Sequence, residues 1–374
     1  MRWSLNSMRH KNAWLNTTRY AQPDYGLPAP KRAVAVLFII FLLASCALPH
    51  APLSNTATTP RSEYAKQEQA ALLRYVSNQD RLYRIAAPLL VKNASLCSNN
   101  ARPLLGFTAK NRYSYSITAA NTAKNLLRLG EKLQVMNVLD GSGALHAGIR
   151  RGDILIKIED QLFPQGPNAE SETAKILVSK LRNTRKLALT ILREEKTLNL
   201  EIPLTLACAY SIDISNTNHI HAYSDGRRIL LTRGMVEFFQ ADSELATILA
   251  REIAHNTLQH IATLQMTTTA AGAIDQLLPM QPDLSGLNTT TSVKRMPAKM
   301  DKQADQLALY MLARAGYDPA TAGTTLQRLA TSHPSAVPNT YTALHPLTTE
   351  RIHLLKKTVE QIRQKQSAKQ PVTP

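Results

Sequence analysis

The stretch DSELATILAREIAHNTLQHIATLQM, residues 242–266, constrains the fold of this chain most strongly. It contains no proline or glycine, and Leu245, Ile248 and Leu249 recur at the spacing of one helical face. Asp242 is placed to cap the start of a helix. We therefore predict one long buried helix, around which the rest of the chain packs.

Three polar residues interrupt the apolar face in the middle of this helix: Arg251, Glu252 and His255. Residues four apart lie on the same side of a helix, so the first and the third share one stripe. Zinc peptidases use this spacing in His-Glu-x-x-His, where two imidazoles hold the metal and the carboxylate activates water. Here the pattern reads Arg-Glu-Ile-Ala-His. The general base and the second ligand are present, but a guanidinium, which cannot bind a cation, replaces the first ligand.

The first 45 residues indicate export. A basic pair precedes an apolar run, residues 33–44, which is too short to span a bilayer and suits a signal peptide. The run ends in Leu-Ala-Ser-Cys, which resembles a bacterial lipobox, so we predict that Cys46 is lipidated. By the same resemblance, Ala47 in place of an aspartate favours outer-membrane sorting. The alternative is a signal anchor with an incidental cysteine.

Residues 141–160, GSGALHAGIRRGDILIKIED, resemble the signature of bacterial PDZ domains. Glycines occupy the expected turns, and a Gly-Asp pair leads into a strand, residues 154–158, in which isoleucines alternate. A helix over 171–181 and a strand over 186–193 follow in the expected order. An upstream loop resembles the one whose backbone amides hold a peptide's terminal carboxylate, with an ordinary strand as the alternative. The residues of this loop are Leu105, Gly106 and Phe107.

Cys97 and Cys208 flank this β-rich unit. In an oxidising compartment such a pair is expected to form a disulfide, and the alternative is two free buried thiols. A disulfide that closes a loop of more than about a hundred residues stabilises by about 4–5 kcal/mol at most in the chain-entropy account.

Four motifs over residues 209–360 together resemble the HtpX and CAAX-prenyl-protease type of zinc metallopeptidase, a gluzincin family. They lie at residues 221–234, 251–255, 301–319 and 345–351. The resemblance implies a third zinc ligand at Asp301, where the family has a glutamate that is one methylene longer. It also implies that Asp305 orients a ligating histidine. His345 matches a family His near the mouth of the cleft, and Arg351 matches the Arg of the same motif.

The resemblance leaves the metal site open, because catalytic zinc normally has three protein ligands. His345 or His221 could replace the missing ligand, whereas His260, five residues after His255, is expected to point elsewhere on the helix. Alternatively, Arg251 places a permanent cation where zinc would lie and binds the nearby carboxylates. A further possibility is that Arg251 turns outward and leaves the site empty.

The chain has a net charge of +17, which indicates an anionic neighbouring surface or simply a solvated basic one. Nucleic acid is not expected as a partner, because no cluster of Lys and Arg is interleaved with aromatic residues. We expect binding to unfolded or C-terminal segments of envelope proteins, and attachment to the membrane through the lipid anchor.

We predict an α+β fold: a mainly helical zincin-like metallopeptidase domain with a small edge sheet, and a β-rich PDZ domain before it. The segments are a signal peptide (1–45), a tether (46–62), a helical arm (63–100), a PDZ domain (101–205), a metallopeptidase-like domain (206–365) and a disordered tail (366–374). The leading functional hypothesis is a catalytically impaired pseudo-peptidase on the periplasmic side of the envelope. The second is an active zinc endopeptidase in envelope protein quality control.

Overall fold

The computed structural model describes residues 60–117, 119–181, 184–263, 297–332 and 348–374. These all fall in one compact unit, Thr58–Pro374. The signal peptide with Cys46, nearly all of the tether and His345 lie outside the described residues. Among the helices that are described, none is both long and apolar enough to cross a membrane.

Helix α1 (Pro60–Lys92) connects the two halves of the molecule. Its second half contributes Leu82, Ile85 and Leu89 to the main hydrophobic core. Its first half places Leu72 and Val76 in a separate small cluster with residues of the β-rich unit. One continuous helix therefore packs against both halves.

The β-rich unit is an antiparallel sheet with the order β2-β3-β4-β6-β7, and β5 pairs with β4. Its strands are β2 (Phe107–Lys110), β3 (Gln134–Val138), β4 (Ile154–Ile158), β5 (Gln161–Leu162), β6 (Lys186–Arg193) and β7 (Lys196–Pro203). The helices are α2 (Ala120–Leu126), α3 (Gly143–His146) and α4 (Ala169–Lys180). Two 3-10 turns, Ser98–Asn100 and Arg112–Ser114, precede and follow β2. The unit has its own core, centred on Val135, Ile158 and Ile191.

The predicted alternation of Ile154, Ile156 and Ile158 on β4 is wrong in detail. Leu155 and Ile158 are the buried residues of this strand. The pairing of β4 with β6 shifts register between Leu155 and Lys157. A bulge of this kind turns the following side chains to the other face of the sheet, which the period of two cannot anticipate.

A two-stranded ribbon forms the neck between the β-rich unit and the rest of the chain. Strand β1 (Ala101–Leu104) pairs antiparallel with β8 (Thr205–Cys208). The structure joins Cys97 and Cys208 in a disulfide at the base of this ribbon, with their Cα atoms 5.8 Å apart. The chain therefore leaves the main body and returns to it at one place.

The main body consists of a small sheet and a set of helices. The strands are β9 (Ser211–Ser215), β10 (Ala222–Ser224) and β11 (Arg228–Thr232), in the order β10-β11-β9. Strand β9 runs parallel to β11, and β10 runs antiparallel to it. The helices are α5 (Arg233–Phe238), α6 (Asp242–Thr257), α7 (His260–Thr263), α8 (Ala298–Arg314), α9 (Thr321–Ser332) and α10 (Thr349–Ser367). Helix α6 is central and packs against α1, α8 and α9.

The central helix is shorter than predicted. It ends at Thr257, and Gln259 adopts a φ of 55°, which turns the chain before α7 begins. At the other end Asp242 lies inside the helix and is not its cap. Its carboxylate instead accepts hydrogen bonds from Arg81 Nε and Arg84 Nη2, both at 2.8 Å. These bonds attach the start of α6 to α1.

The C-terminal residues 366–374 differ from the disordered tail that the sequence predicts. Helix α10 continues to Ser367, and Val372 packs against the main core. Arg314 Nη1 donates a hydrogen bond to the carbonyl of Val372 at 3.4 Å. The polar composition of this segment did not predict the contact, because only the side chain and the backbone carbonyl of Val372 form it.

Candidate functional site

Helix α6 is buried along its middle, including its polar residues. The exposed fraction is 3% for Arg251, 1% for Glu252 and 3% for His255. Charged side chains are almost never buried to this extent unless they are paired. The neighbouring helices must therefore supply partners for all three.

Three carboxylates surround the guanidinium of Arg251. Its Nε donates to Asp305 Oδ1 and its Nη1 to Glu252 Oε1, both at 3.2 Å, and its Nη2 donates to Asp301 Oδ1. Asp301 and Asp305 are four residues apart on α8, so both face α6. The alternative in which Arg251 turns outward is therefore wrong. The side chain lies inside the helix packing and contacts every nearby acid.

A second guanidinium completes this cluster. Arg351, near the start of α10, donates to Asp305 Oδ2 from Nε at 3.0 Å and from Nη2 at 2.6 Å. The resemblance implied that Asp305 would orient a ligating histidine, but here it bridges two arginines. Both guanidiniums therefore attract this carboxylate.

Glu252 is held between the two helices and the small sheet. Ser224, the last residue of β10, donates from Oγ to Glu252 Oε2 at 2.8 Å. Burial raises the pKa of Glu252, and Arg251 and the Ser224 bond oppose this change only in part. Burial also disfavours the charged form of Arg251, but Asp301, Asp305 and Glu252 outweigh it and raise the pKa of the guanidinium. The arginine therefore stays charged, and burial favours the neutral form of Glu252.

His255 lies on the same side of α6 as Arg251. Its Nε2 is 3.5 Å from Asp301 Oδ1 and makes no hydrogen bond within the described part of the chain. Its Nδ1 is 3.0 Å from Nδ1 of His260. Burial, and then the charge of Arg251, holds the pKa of His255 well below its usual value, so the ring is neutral. The expectation that His260 points elsewhere is wrong, because the turn at Gln259 folds it back.

These residues do not fit a zinc ion. Among the described residues, no group of three or more His, Cys, Asp or Glu side chains could hold a metal. His255 Nε2 and Asp301 are the donors that remain at the motif, and Asp301 already binds a guanidinium. His221 is buried just before β10 with its ring beside those of His219 and Tyr223. His345 lies outside the described residues.

The loop predicted to bind a peptide carboxylate connects β1 to β2. Gly106 has a φ of 89°, and a Cβ there would lie 2.5 Å from the Cβ of Ser142. Both observations require glycine at this position. Leu105, Gly106 and Phe107 line a cavity of about 470 Å³. The loop therefore opens onto a space that can accept a ligand.

Residues 188–359 match Peptidase family M48. The matched segment includes all the residues of the charge cluster, which lie on α6, on α8 and at the start of α10. Zinc is the usual metal of this family, and the guanidinium of Arg251 cannot bind a cation.

Several peptidases are similar to this chain. Mitochondrial metalloendopeptidase OMA1 of Arabidopsis thaliana is 34% identical over 134 residues, which cover 34% of this chain and 27% of that protein. Beta-barrel assembly-enhancing protease of Yersinia pestis is 27% identical over 154 residues (37% and 32%), and that of Escherichia coli K12 is 25% identical over 165 residues (40% and 34%). The chain therefore spans about a third of the length of these relatives.

Two solved structures with PDZ-like parts are similar to 28% of this chain. The HtrA3 PDZ domain with a phage-derived ligand is 15% identical, with a TM-score of 0.21 and 88% of that chain covered. The HtrA-type protease AlgW with a decapeptide is 23% identical, with a TM-score of 0.22 and 30% covered. The PDZ assignment continues to rest on the sequence motif.

Sequence reasoning missed two residues of the site. Ser224 belongs to no motif, and only its position at the end of β10 brings it to Glu252. His260 could have been found from the spacing His-x-x-x-x-His, but only by expecting the helix to end at Thr257. Both depend on where an element stops, which is the least certain part of a sequence-based prediction.

Proposed function

We propose that this protein is a lipid-anchored envelope pseudo-peptidase, which keeps the peptidase scaffold without zinc and binds segments of other envelope proteins. The buried guanidinium of Arg251, in contact with Glu252, Asp301 and Asp305, is the observation that carries this proposal. It removes a ligand and adds a positive charge at the same point.

The magnitude of this repulsion supports a site without zinc. At an effective dielectric constant of about 20, a unit charge and a divalent ion about 4 Å apart repel each other by about 8 kcal/mol. A full set of protein ligands binds structural zinc with an apparent free energy of about 10–16 kcal/mol. The repulsion cancels most of that amount, and the loss of one ligand lowers the remainder further.

The cell envelope is the proposed location, with the outer membrane as the destination of the lipid anchor. Cys46 follows a lipobox-like sequence, and a disulfide joins Cys97 and Cys208. Disulfides persist in the periplasm and are rare in the cytosol. The proposed partners are unfolded or C-terminal polypeptide segments, which the PDZ-like unit would bind at Leu105, Gly106 and Phe107.

Zinc content of the purified protein tests the proposal. We expect no stoichiometric zinc in the wild type, and a gain of zinc when Arg251→His is combined with Asp301→Glu. The matched control is Arg328→His, which changes an arginine that pairs with Glu244 at the surface and should leave the metal content unchanged.

Stoichiometric zinc in the unaltered protein would contradict the proposal. Peptide hydrolysis by the wild type that is lost in Glu252→Ala would establish the alternative function, an active zinc endopeptidase. Glu252 would then be the general base, and His255, Asp301 and either His345 or His221 would be the ligands.

A further inference from the structure

The cavity beside the PDZ-like loop is bounded by both halves of the molecule. On one side are β2 and α4 of the β-rich unit, and on the other are α1 and β9 of the main body. We call this space the composite groove. Its lining includes Leu105, Phe107, Lys110, Glu170, Leu177 and Asp213.

Two open strand edges line the composite groove. Strand β2 is at one end of its sheet and β9 is at one end of the small sheet, so in the described part of the chain each has a neighbour on one side only. Such edges present unpaired backbone donors and acceptors, which an extended polypeptide can use by adding as a further strand. The groove therefore offers backbone pairing from either wall.

The end of the groove near the loop is apolar. Leu105 and Phe107 flank the positive-φ glycine, and Leu177 of α4 also lines the groove. An apolar side chain at the end of a polypeptide would be buried here, with its carboxylate at the loop amides. A strand whose C-terminus meets this loop runs antiparallel to β2, so its preceding residues pass Lys110.

The other end of the groove is charged, and part of it comes from the main body. Asp213, in the middle of β9, lies among Lys110, Glu170 and Arg228. Lys110 is three residues after Phe107, which corresponds to about 10 Å along a strand. Asp213 therefore lies near the third residue before the end of an added strand.

Asp213 is available for a cationic ligand group. Arg228 already pairs with Asp225 at 2.7 Å, and within the described residues no Lys or Arg is within salt-bridge distance of Asp213. Burial raises the pKa of the Asp213 carboxyl, because the partial attraction of Lys110 and Arg228 does not offset its desolvation. With Glu170 and Lys110, the lining of this end carries one net negative charge.

We propose that the composite groove binds the C-terminal end of an extended polypeptide with an apolar last residue, and that Asp213 of the main body selects for Lys or Arg three residues before it. This rests on the peptide-binding part of the proposed function and adds the specificity residue. The PDZ-like unit would then be one wall of a site that is complete only against the main body.

The experiment measures binding of synthetic decapeptides to the purified protein by fluorescence anisotropy. The peptides end in leucine and differ only in having Arg, Gln or Glu three residues earlier. We expect the Arg peptide to bind about tenfold more tightly than the Gln peptide, which corresponds to about 1.4 kcal/mol, and the Glu peptide to bind more weakly than both. In Asp213→Asn the difference between Arg and Gln should disappear while the Gln peptide binds as before.

The matched control is Asp160→Asn, which removes a carboxylate that is 90% exposed and lies outside the groove. This variant should keep the full preference for Arg. An unchanged preference in Asp213→Asn, or equal binding of the three peptides to the wild type, would overturn this inference and leave the proposed function standing. Failure of every peptide to bind would overturn the peptide-binding proposal as well, and the zinc measurement would still decide the pseudo-peptidase part separately.

Discussion

Replacing Arg251 with methionine keeps an unbranched side chain in the core of the main body and removes its charge. Asp305 would keep both bonds from Arg351, at 3.0 and 2.6 Å. Glu252 would keep the Ser224 bond and, because its pKa is already raised, could take up a proton. Asp301, which is fully buried, would lose its guanidinium partner.

The expected cost follows from this distribution of partners. Removing one partner of a buried ion pair costs about 3–5 kcal/mol, since the charge that stays away from water loses much of its compensation. One kcal/mol lowers the melting temperature of a domain of about 150–250 residues by about 2–4 °C. We therefore expect Arg251→Met to lower the melting temperature by about 6–20 °C at neutral pH.

The assay is urea and thermal unfolding followed by circular dichroism, with Arg328→Met as the matched control. Arg328 pairs with Glu244 at the surface, where an ion pair contributes about 0–1 kcal/mol. Adding Asp301→Asn to Arg251→Met should recover part of the loss, because the neutral amide no longer needs a cation. If Arg251→Met costs no more than Arg328→Met, the guanidinium does not hold the body together and the reasoning is refuted.

Three further outcomes are expected. In melting curves, Asp213→Asn should be more stable than the wild type at pH 7 and equal to it near pH 3.8. Burial raises the pKa of the Asp213 carboxyl above 3.8, so the folded wild type loses stability as the pH rises through that raised value. Cys97→Ser with Cys208→Ser should lower the free energy of unfolding in urea by up to about 4–5 kcal/mol, and a smaller effect than about 1 kcal/mol would contradict the chain-entropy account. Gly143→Ala should destabilise the protein by at least about 1–3 kcal/mol, because its Cβ would lie 1.8 Å from a backbone oxygen. Gly323→Ala, with open space around the added Cβ, should not destabilise it, and equal melting temperatures of the two variants would contradict this prediction.

Local periodicity predicted the elements from which the site is built. The spacing of Leu245, Ile248 and Leu249 correctly indicated a buried helix, and strand 186–193 matches β6. Each of these depends on residues within one or two turns of each other. The end of α6 was missed, since a single left-handed residue, Gln259, decides it.

The arrangement of charges could not be predicted in the same way. Whether Arg251 turns inward depends on Asp301 and Asp305, about fifty residues further along the chain, and on Arg351 beyond them. The sequence left both orientations open for that reason. The role proposed for Asp213 depends on the packing of two halves that have separate cores, so no single motif contains it.

The narrow neck of the β-rich unit has an evolutionary consequence. The disulfide holds its two chain ends side by side, with 5.8 Å between the Cα atoms of Cys97 and Cys208. If the β-rich unit were deleted, a short turn could therefore join the chain before Cys97 to the chain after Cys208. Gain or loss of the β-rich unit by recombination would leave the backbone path of the main body unchanged. Leu72 and Val76, however, would then face solvent, so a protein that lost the β-rich unit would need a more polar first half of α1.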